Sequence, residues 1–448
     1  MSKELQTQQQ EQEDLERVIH QVLDEAKKQG ATSAEAALGI ESGLSVTARM
    51  GEVETLEYHH DKGVGITVYI GQSKGSSSTS DFSEAAIKEA VTAASGIARY
   101  TAEDKWSGLA DKDDLAWEYQ DLDLCHPWSV DAEQAVAIAI ECEDAARTFD
   151  YRISNSEGAT LSSHRGLHFY GNSHGFVGHY PSTRHSLSVS VIGQDGGNMQ
   201  RDYWYTVARN HAEMDSSESV GKKAGERTIA RLNAKRLSTR KVPVLFSPEM
   251  ASSLVGHYLR AIRGSSLYRK TTFLLDSIDK QIFPSWLNIS ERPHIHGALG
   301  SAPYDNEGVK TSDRELVEQG VIKSYLLDSY AARRLGMHTT GHAGGIHNLV
   351  LSSGDKDLQA LLKEMDTGLF VTELMGQGVN GVTGDYSRGA AGFWVEKGII
   401  QFPVEEITIA GNLKDMFKQI VAVGNDVDKR RNIQTGSILI ENMTLAGE

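Results

Sequence analysis

The sequence predicts an α+β fold, with N-terminal α/β units followed by a β-rich C-terminal domain that has mixed or antiparallel sheets. Helical apolar spacing and short β-type runs follow one another along the chain without a strict alternation of strand and helix. From residue 241 onward β-type runs dominate. With 448 residues, the chain is also too long for one ordinary core, so two or three domains are expected.

The first 100 residues predict a compact α–β–β–β–α domain. Residues 15–29 carry apolar side chains at helical spacing, and the following stretch to residue 79 alternates in short β-type runs broken by glycine-containing turns. Asp81 is the expected cap of a second helix, "SEAAIKEAVTAASGIARY", with Ser83 and Glu84 in its first turn.

Residues 101–129 are acidic and aperiodic, which is typical of a linker lying over a surface. A middle α+β region then covers 130–240. It begins with a helix over roughly 130–148, continues with strand-like sequence over 153–193, and ends with a helix over 219–234.

The C-terminal domain, 241–448, begins with the strand "KVPVLF". A helix over 250–262 follows, with Pro248 near its first turn. Strands are expected in "GVIKSYLLDS", "HNLVLSS", "LFVTELMG", "GFWVEKGIIQFPVEEITIAG" and "GSILIENMTLAG", with helices near 356–365 and 412–420.

Charge and composition exclude several classes of function. The net charge of −16 and the short basic runs disfavour direct nucleic-acid binding. Apolar stretches are far shorter than the roughly 20 residues that a bilayer crossing needs, so no membrane association is expected. The polar N-terminus has no export signal, and two cysteines fit a reducing compartment, so we expect a cytoplasmic protein.

Three motifs could carry chemistry. The "GQGVNG" run at 376–381 matches a dinucleotide fingerprint, but no helical pattern follows it, so its glycines are expected to serve turns or close chain approach. Histidines 164, 168, 174, 179 and 185 lack ligand spacing and are expected to be exposed. His342 and His347, beside paired glycines in "TGHAGGIHNLVL", are better placed for ligand contact.

Four segments together resemble the PmbA (TldE) branch of the TldD/PmbA family, which is often labelled modulator of DNA gyrase. They are "SSLVGHYLRAIRGSSLYRKTTFLLDSIDKQI", "TGHAGGIHN", "GDYSRGAAGFWVEKGIIQFPVEEITIAGNL" and "VGNDVD". The likeness covers almost the whole chain, and the block at 384–413 is highly specific.

The resemblance implies a zinc peptidase family, and this chain departs from its zinc motif. The TldD branch carries His-Glu-x-x-x-His on a helix and a late cysteine. Here Ser252 and Ser253 stand for the first histidine and the glutamate, and only His257 is kept. No cysteine follows Cys142. Because serine is a poor zinc ligand and cannot replace a carboxylate base, we expect no catalytic residue and no metal in this chain, with zinc in the sister subunit.

The resemblance therefore implies a non-catalytic subunit that works with a TldD-type catalytic subunit on unfolded peptides, and that forms a homodimer when isolated. One alternative is an active metallopeptidase with another ligand set, such as His257 with His342 or His347. Another is a stand-alone peptide or regulator-binding protein. The expected peptide-binding residues are Ser387, Arg388, Gly389, Gly392, His342 and His347. Arg388 is expected either to meet a peptide carboxylate or to form a structural salt bridge.

Overall fold

The structure, a computed structural model, describes the backbone of residues 3–447 and the side chains of residue 10 and of 12–447. This part of the chain forms three sheets with helices packed against them. The mixed α+β architecture and the β-rich C-terminal region confirm the predicted fold class.

The N-terminal elements follow the predicted α–β–β–β–α order. They are α1 (Lys3–Lys28), β1 (Ser33–Arg49), β2 (Glu52–Ile70), β3 (Ser73–Thr79) and α2 (Glu84–Tyr100). The expected cap of α2 is displaced by two residues. Ser83, not Asp81, is the N-cap and accepts the Ala86 N–H, while Asp81 accepts the N–H of Ser83 itself.

The middle elements match the predicted region closely. They are α3 (Ala132–Arg147), β4 (Ile153–Asn172), β5 (Val177–Asp195), β6 (Asn198–Ala208) and α4 (Ser217–Ala230). A complete capping box begins α3, because Asp131 accepts the Gln134 N–H and the Gln134 side chain accepts the Asp131 N–H.

One antiparallel sheet joins the N-terminal and middle regions. Its strand order is β3-β2-β1-β4-β5-β6, and β1 pairs with β4 from Glu35↔Asn172 to Ala48↔Ala159. Two apolar clusters cover the same face of β1, since both use its even-numbered residues. Helices α1 and α2 form one cluster, and α3 and α4 form the other.

The opposite face of this sheet meets the C-terminal domain. Tyr170 and Phe176 pack there with Tyr304 and Val309 in a separate small core. The linker over 101–129 is irregular apart from one 3-10 turn at Lys112–Asp114. Several of its apolar side chains are buried in this contact, so the linker is built into the molecule rather than lying over its surface.

The C-terminal domain contains the remaining elements. They are β7 (Arg240–Phe246), α5 (Pro248–Ala261), α6 (Gly264–Tyr268), β8 (Ile289–Glu291), β9 (Arg314–Glu318), β10 (Val321–Ile322), α7 (Ser329–Leu335), β11 (Leu349–Leu351), α8 (Leu358–Met365), β12 (Gly368–Met375), β13 (Asp385–Glu396), β14 (Ile399–Asn412), α9 (Leu413–Lys418), β15 (Ile420–Val423), β16 (Ile433–Gln434) and β17 (Ile438–Ala446).

These strands form two sheets. One has the order β14-β13-β12-β7-β17-β15, and a further β14–β17 pairing brings its far strands together. The other has the order β10-β9-β8-β11-β16. Helix α5 packs between them, with buried Leu254, Tyr258 and Leu259 in the main C-terminal core.

The predicted strand "GVIKSYLLDS" is wrong beyond its first residues. Only Val321–Ile322 is a strand, and Leu326 instead donates its N–H to Ile262 O and accepts from Gly264 N at the end of α5. Tyr325, Leu326 and Leu327 are all buried in the main C-terminal core, so the apolar run that suggested a strand reflects burial in a loop. None of the described helices is long and apolar enough to cross a membrane.

Candidate functional site

Helix α5 carries the three motif positions, Ser252, Ser253 and His257. Its apolar side chains fix its orientation. Pro248 occupies the first turn, where its missing N–H has no helical partner to lose. Buried Leu254 and Tyr258 hold one face in the core, so the motif residues face the neighbouring loops and strands. Ser252 is buried, and its hydroxyl donates to Glu249 O at 2.8 Å.

Arg388 reaches α5 from strand β13. Its guanidinium donates to Ser253 Oγ at 3.2 Å, to Gly376 O at 3.1 Å and to Leu374 O at 3.4 Å. No carboxylate among the side chains described lies within ion-pair distance of Arg388, so the predicted structural salt bridge is not present. A cation without an anionic partner thus stands beside the position where the family motif has its glutamate.

His257 is half-buried. Its Nε2 atom is buried and has no hydrogen-bond partner within the described chain, and its ring meets the edge of Tyr386 at a centroid distance of 5.9 Å. Burial, and then the charges of Arg388 and Arg260, lower the pKa of His257 to about 4. The imidazole is therefore neutral at neutral pH.

These residues do not make up a zinc donor set. Two hydroxyls and one imidazole are poor ligands for zinc in comparison with two imidazoles and a thiolate, and the neighbouring guanidinium repels a dication. The two cysteines lie elsewhere: Cys142 is buried in the core under α3, and Cys125 is in the linker. No hydrolytic step can be assigned to α5.

The segment "SRGAAGF", which holds four of the expected peptide-binding residues, is part of strand β13. Gly389 pairs with Met375 of β12 and with Thr408 of β14, and Gly392 pairs with Val371 and Val404. Both edges of the strand are therefore occupied, and a peptide cannot add to its backbone. Contact with a peptide through the Ser387 or Arg388 side chain stays a prediction.

The two loop histidines meet a carboxylate that sequence reasoning missed. Glu291, at the end of β8, accepts from His342 Nε2 at 2.6 Å and from His347 Nδ1 at 3.1 Å. Its Oε1 atom also accepts the His347 backbone N–H at 2.7 Å. Glu291 is buried on the same face of β8 as Ile289, and an acidic residue at such a position was the available signal.

Hydrogen bonding rather than solvent stabilises this carboxylate. Burial alone would raise the pKa of Glu291, but hydrogen bonds from His342 and His347 outweigh burial and hold the pKa well below its usual range. Among the described residues, Glu291, His342 and His347 are the one group of three whose ligand atoms lie within 4.8 Å of one another. His257 is not in this group, so the proposed set of His257 with His342 or His347 does not form.

A cavity of about 430 Å³ lies beside this cluster, between the N-terminal sheet and the C-terminal loops. Its lining includes His168 and Arg209 from the sheet side and Asp305 and His347 from the C-terminal loops. Arg209 donates only to backbone carbonyls, those of Thr183, Ala298 and Leu299.

The five histidines of the middle region do not form a metal site. His164 approaches His59 Nε2 at 3.0 Å and Glu41 at 3.1 Å, whereas His179 stacks on Phe169. His185 is buried, against expectation, because its two ring nitrogens bond Ser163 Oγ and His126 O.

A larger groove of about 750 Å³ opens at the N-terminus of α5. Aromatic side chains of Trp204, Phe370 and Phe393 line it together with Glu249 and Arg430. These five residues come from five separate segments of the chain, and for this reason no sequence motif indicates the groove.

The chain is similar to known proteins over almost its whole length. Three consecutive family models match the chain: PmbA/TldA metallopeptidase domain 1 over 34–98, the central domain over 125–232 and the C-terminal domain over 239–447. The Metalloprotease PmbA homolog of Haemophilus influenzae is 52% identical, with 98% of this chain and 97% of that protein covered. Metalloprotease PmbA of Escherichia coli O157:H7 is 51% identical, with 97% and 96% covered.

A solved structure has the same fold. The crystal structure of a candidate modulator of DNA gyrase from Bacteroides thetaiotaomicron superposes with a TM-score of 0.91 at 28% identity, over 97% of this chain and 99% of that one. More distant relatives include a Metalloprotease TldD homolog of Buchnera aphidicola, 22% identical over 87% of each chain.

Proposed function

The chain belongs to the PmbA/TldD metallopeptidase family, and from this premise we propose that it is the non-catalytic subunit of a TldD/PmbA-type protease complex acting on unfolded peptides. In this role a TldD-type partner holds the zinc and cleaves, and this chain binds the partner and helps to shape the space that admits peptides.

The single observation that carries the proposal is the set of side-chain contacts around the motif positions on helix α5. Arg388 lies 3.2 Å from Ser253 Oγ, and His257 Nε2 is buried without a partner. A zinc site needs the opposite arrangement, with anionic or imidazole donors converging on an open position. We therefore infer that α5 binds no zinc, and that its place in the complex is structural.

The groove at the N-terminus of α5 supports the peptide part of the proposal. Its aromatic lining provides apolar contact, and Glu249 and Arg430 provide both signs of charge at its wall. An unfolded peptide presents the same mixture of apolar and charged side chains. Arg388 adds a guanidinium without an anionic partner on the neighbouring strand.

Reconstitution tests the proposal. Peptidase activity on an unfolded peptide is measured for the chain alone, for a TldD-type subunit alone and for the mixture. We expect activity in the mixture, none from this chain alone, and none when the partner's catalytic glutamate is replaced by glutamine. Cleavage that persists with that replacement would place the chemistry in this chain and refute the proposal.

A second candidate is an active metallopeptidase with its own ligand set. The observation favouring it is that His342 and His347 meet Glu291, which gives the two imidazoles and one carboxylate found in some zinc hydrolases. This candidate requires activity from the chain alone that His342→Ala abolishes and His257→Ala leaves unchanged.

A further inference from the structure

The contacts of Thr340 allow two positions for the hydrogen of a neutral His342. The Thr340 hydroxyl has one proton to donate, and the carbonyls of Tyr325 and Leu327 are both 3.2 Å away. The same oxygen accepts the Leu327 N–H at 2.7 Å and lies 2.8 Å from His342 Nδ1. If Thr340 donates to Nδ1, the hydrogen is on Nε2 and is donated to Glu291; if Thr340 donates to a carbonyl, it accepts from Nδ1 and leaves Nε2 with a lone pair.

The second of these arrangements suits a metal ion. Nε2 of His342 then presents a lone pair to a carboxylate oxygen of Glu291, 2.6 Å away. A cation bound between the two atoms would use both lone pairs, and both side chains are only 2% exposed, so the site is shielded from solvent.

The donor set and its surroundings fit a metal ion of the zinc type. Glu291, His342 and His347 supply one carboxylate and two imidazoles whose ligand atoms lie within 4.8 Å of one another. Ligand atoms in a tetrahedral zinc site are about 3.3 Å apart, given bonds of about 2.0 to 2.1 Å. The 3.1 Å between His347 and Glu291 matches this value, and the 2.6 Å to His342 must widen by several tenths of an ångström.

The outer contacts are those that metal-binding side chains use. With a metal bound, Thr340 would accept from the far nitrogen of His342, which orients its Nε2 toward the carboxylate. The His347 backbone N–H anchors one oxygen of Glu291. His347 also lines the 430 Å³ cavity, which gives an ion a route to the site and space for a fourth, exchangeable ligand.

We propose that Glu291, His342 and His347 form a binding site for a divalent transition metal such as Zn²⁺, separate from α5 and bordering the cavity between the two halves of the molecule. A bound ion would link the loop that carries both histidines to strand β8. This proposal departs from the sequence-based expectation of no metal in the chain, and it is compatible with the proposed non-catalytic role because the bound ion would be structural.

Zinc binding to the full-length chain tests the proposal. Chelator-treated protein is titrated with Zn²⁺ alone while bound metal and thermal unfolding are measured, and Co²⁺ is used as a spectroscopic probe of coordination. We expect one metal per chain, a higher unfolding temperature with Zn²⁺, and a Co²⁺ spectrum of nitrogen and oxygen ligation.

Glu291→Gln is the decisive variant, because it keeps the hydrogen bonds without the charge. The glutamine oxygen can accept from His347, and its amide can donate to His342 Nε2, so the fold is maintained. We expect Zn²⁺ affinity to fall by about 100-fold or more. His342→Ala should lose the metal as well, and His257→Ala should retain it.

Two results would overturn the proposal. Wild-type protein that takes up no Zn²⁺ and does not change its unfolding temperature would show that a proton holds the cluster. Zinc that persists in Glu291→Gln but disappears in His257→Ala would place the metal on α5, and that outcome alone would also contradict the non-catalytic role.

Discussion

His257 and Arg388 show how the chemistry of one helix can be changed while its fold is kept. The imidazole remains, but it is buried without a partner, and a guanidinium lies next to the residue that would hold a catalytic carboxylate. The cost of charging His257 is therefore high, because burial and two cations act in the same direction. This cost should appear in the pH dependence of stability.

We predict that His257 makes the protein less stable as the pH falls below the ordinary histidine range. The pKa of His257 is about 4 in the folded protein, against about 6.5 for a histidine in an unfolded chain. The unfolded chain therefore binds a proton that the folded chain excludes, and stability decreases between pH 6.5 and 4 by about 1 kcal/mol per pH unit. Urea unfolding of His257→Gln and wild type at pH 7, 6 and 5 measures the difference, which should grow toward low pH. Parallel curves would contradict the prediction.

The motif positions on α5 and the cluster of Glu291, His342 and His347 differ in how far the sequence could predict them. The loss of the zinc motif could be predicted because Ser252, Ser253 and His257 lie within one helix turn and a half. The role of Glu291 could not be predicted, since it meets His342 and His347 from 51 and 56 residues away. Periodicity can indicate that Glu291 is buried, but only the fold shows what it meets.

At the scale of elements, apolar spacing predicted the long helices and the paired strands of the N-terminal sheet. It failed over 320–329, because four consecutive residues from Ser324 to Leu327 are buried there in irregular chain. Strand β13 illustrates another limit. The sequence predicts a strand only from Gly392 onward, whereas β13 begins at Asp385, and only the fold shows that Gly392 allows close approach of β12.

We predict that two glycines of β13 respond differently to alanine. A Cβ at Gly392 would lie 2.0 Å from Phe370 O, whereas at Gly389 the nearest atom is Met375 Cβ at 3.4 Å. Gly392→Ala should therefore destabilise the protein by about 2 kcal/mol or more, and Gly389→Ala by less than about 1 kcal/mol. Thermal unfolding of the two variants measures this.

Gly389→Ala also tests the predicted peptide contact. If β13 borders the peptide path, the variant slows peptide processing by the reconstituted complex at unchanged stability. Normal processing would remove Gly389 from the peptide-binding residues.

We predict that Arg333 holds the linker in place. From helix α7 its guanidinium donates to the carbonyls of Gly108 at 3.1 Å and Leu109, and it pairs with Asp111 at 3.1 Å. Arg333→Lys keeps the charge but cannot make this fork of bonds, so residues 106–111 should open more readily. Hydrogen exchange measured by mass spectrometry should rise there by about tenfold, with α7 itself unchanged. Equal exchange in both proteins would show that apolar burial alone fixes the linker.

At the scale of the whole molecule, the predicted N-terminal domain and middle region share one sheet. Strand β1 lies between β2 and β4, and its side chains enter both helix-covered clusters. The main C-terminal core, by contrast, uses only residues from Leu237 to Leu445. The chain therefore has two large folding units, and the packing of Tyr170 and Phe176 against Tyr304 and Val309 is one of the contacts between them.

We predict that fragments 1–235 and 239–448 each fold, whereas fragment 1–128 does not. Ending the chain at 128 removes β4, which leaves one edge of β1 unpaired from Glu35 to Ala48 and takes Leu167 and Phe169 out of the first cluster. The exposed strand edge and apolar face favour aggregation. Circular dichroism and thermal unfolding should show one cooperative transition for each of the two longer fragments and none for 1–128. Fragment 1–235 carries all of the sheet and so serves as the matched control. A soluble, cooperatively unfolding 1–128 monomer would mean that the first helices and three strands are stable alone, and that the shared sheet forms by docking of two finished domains.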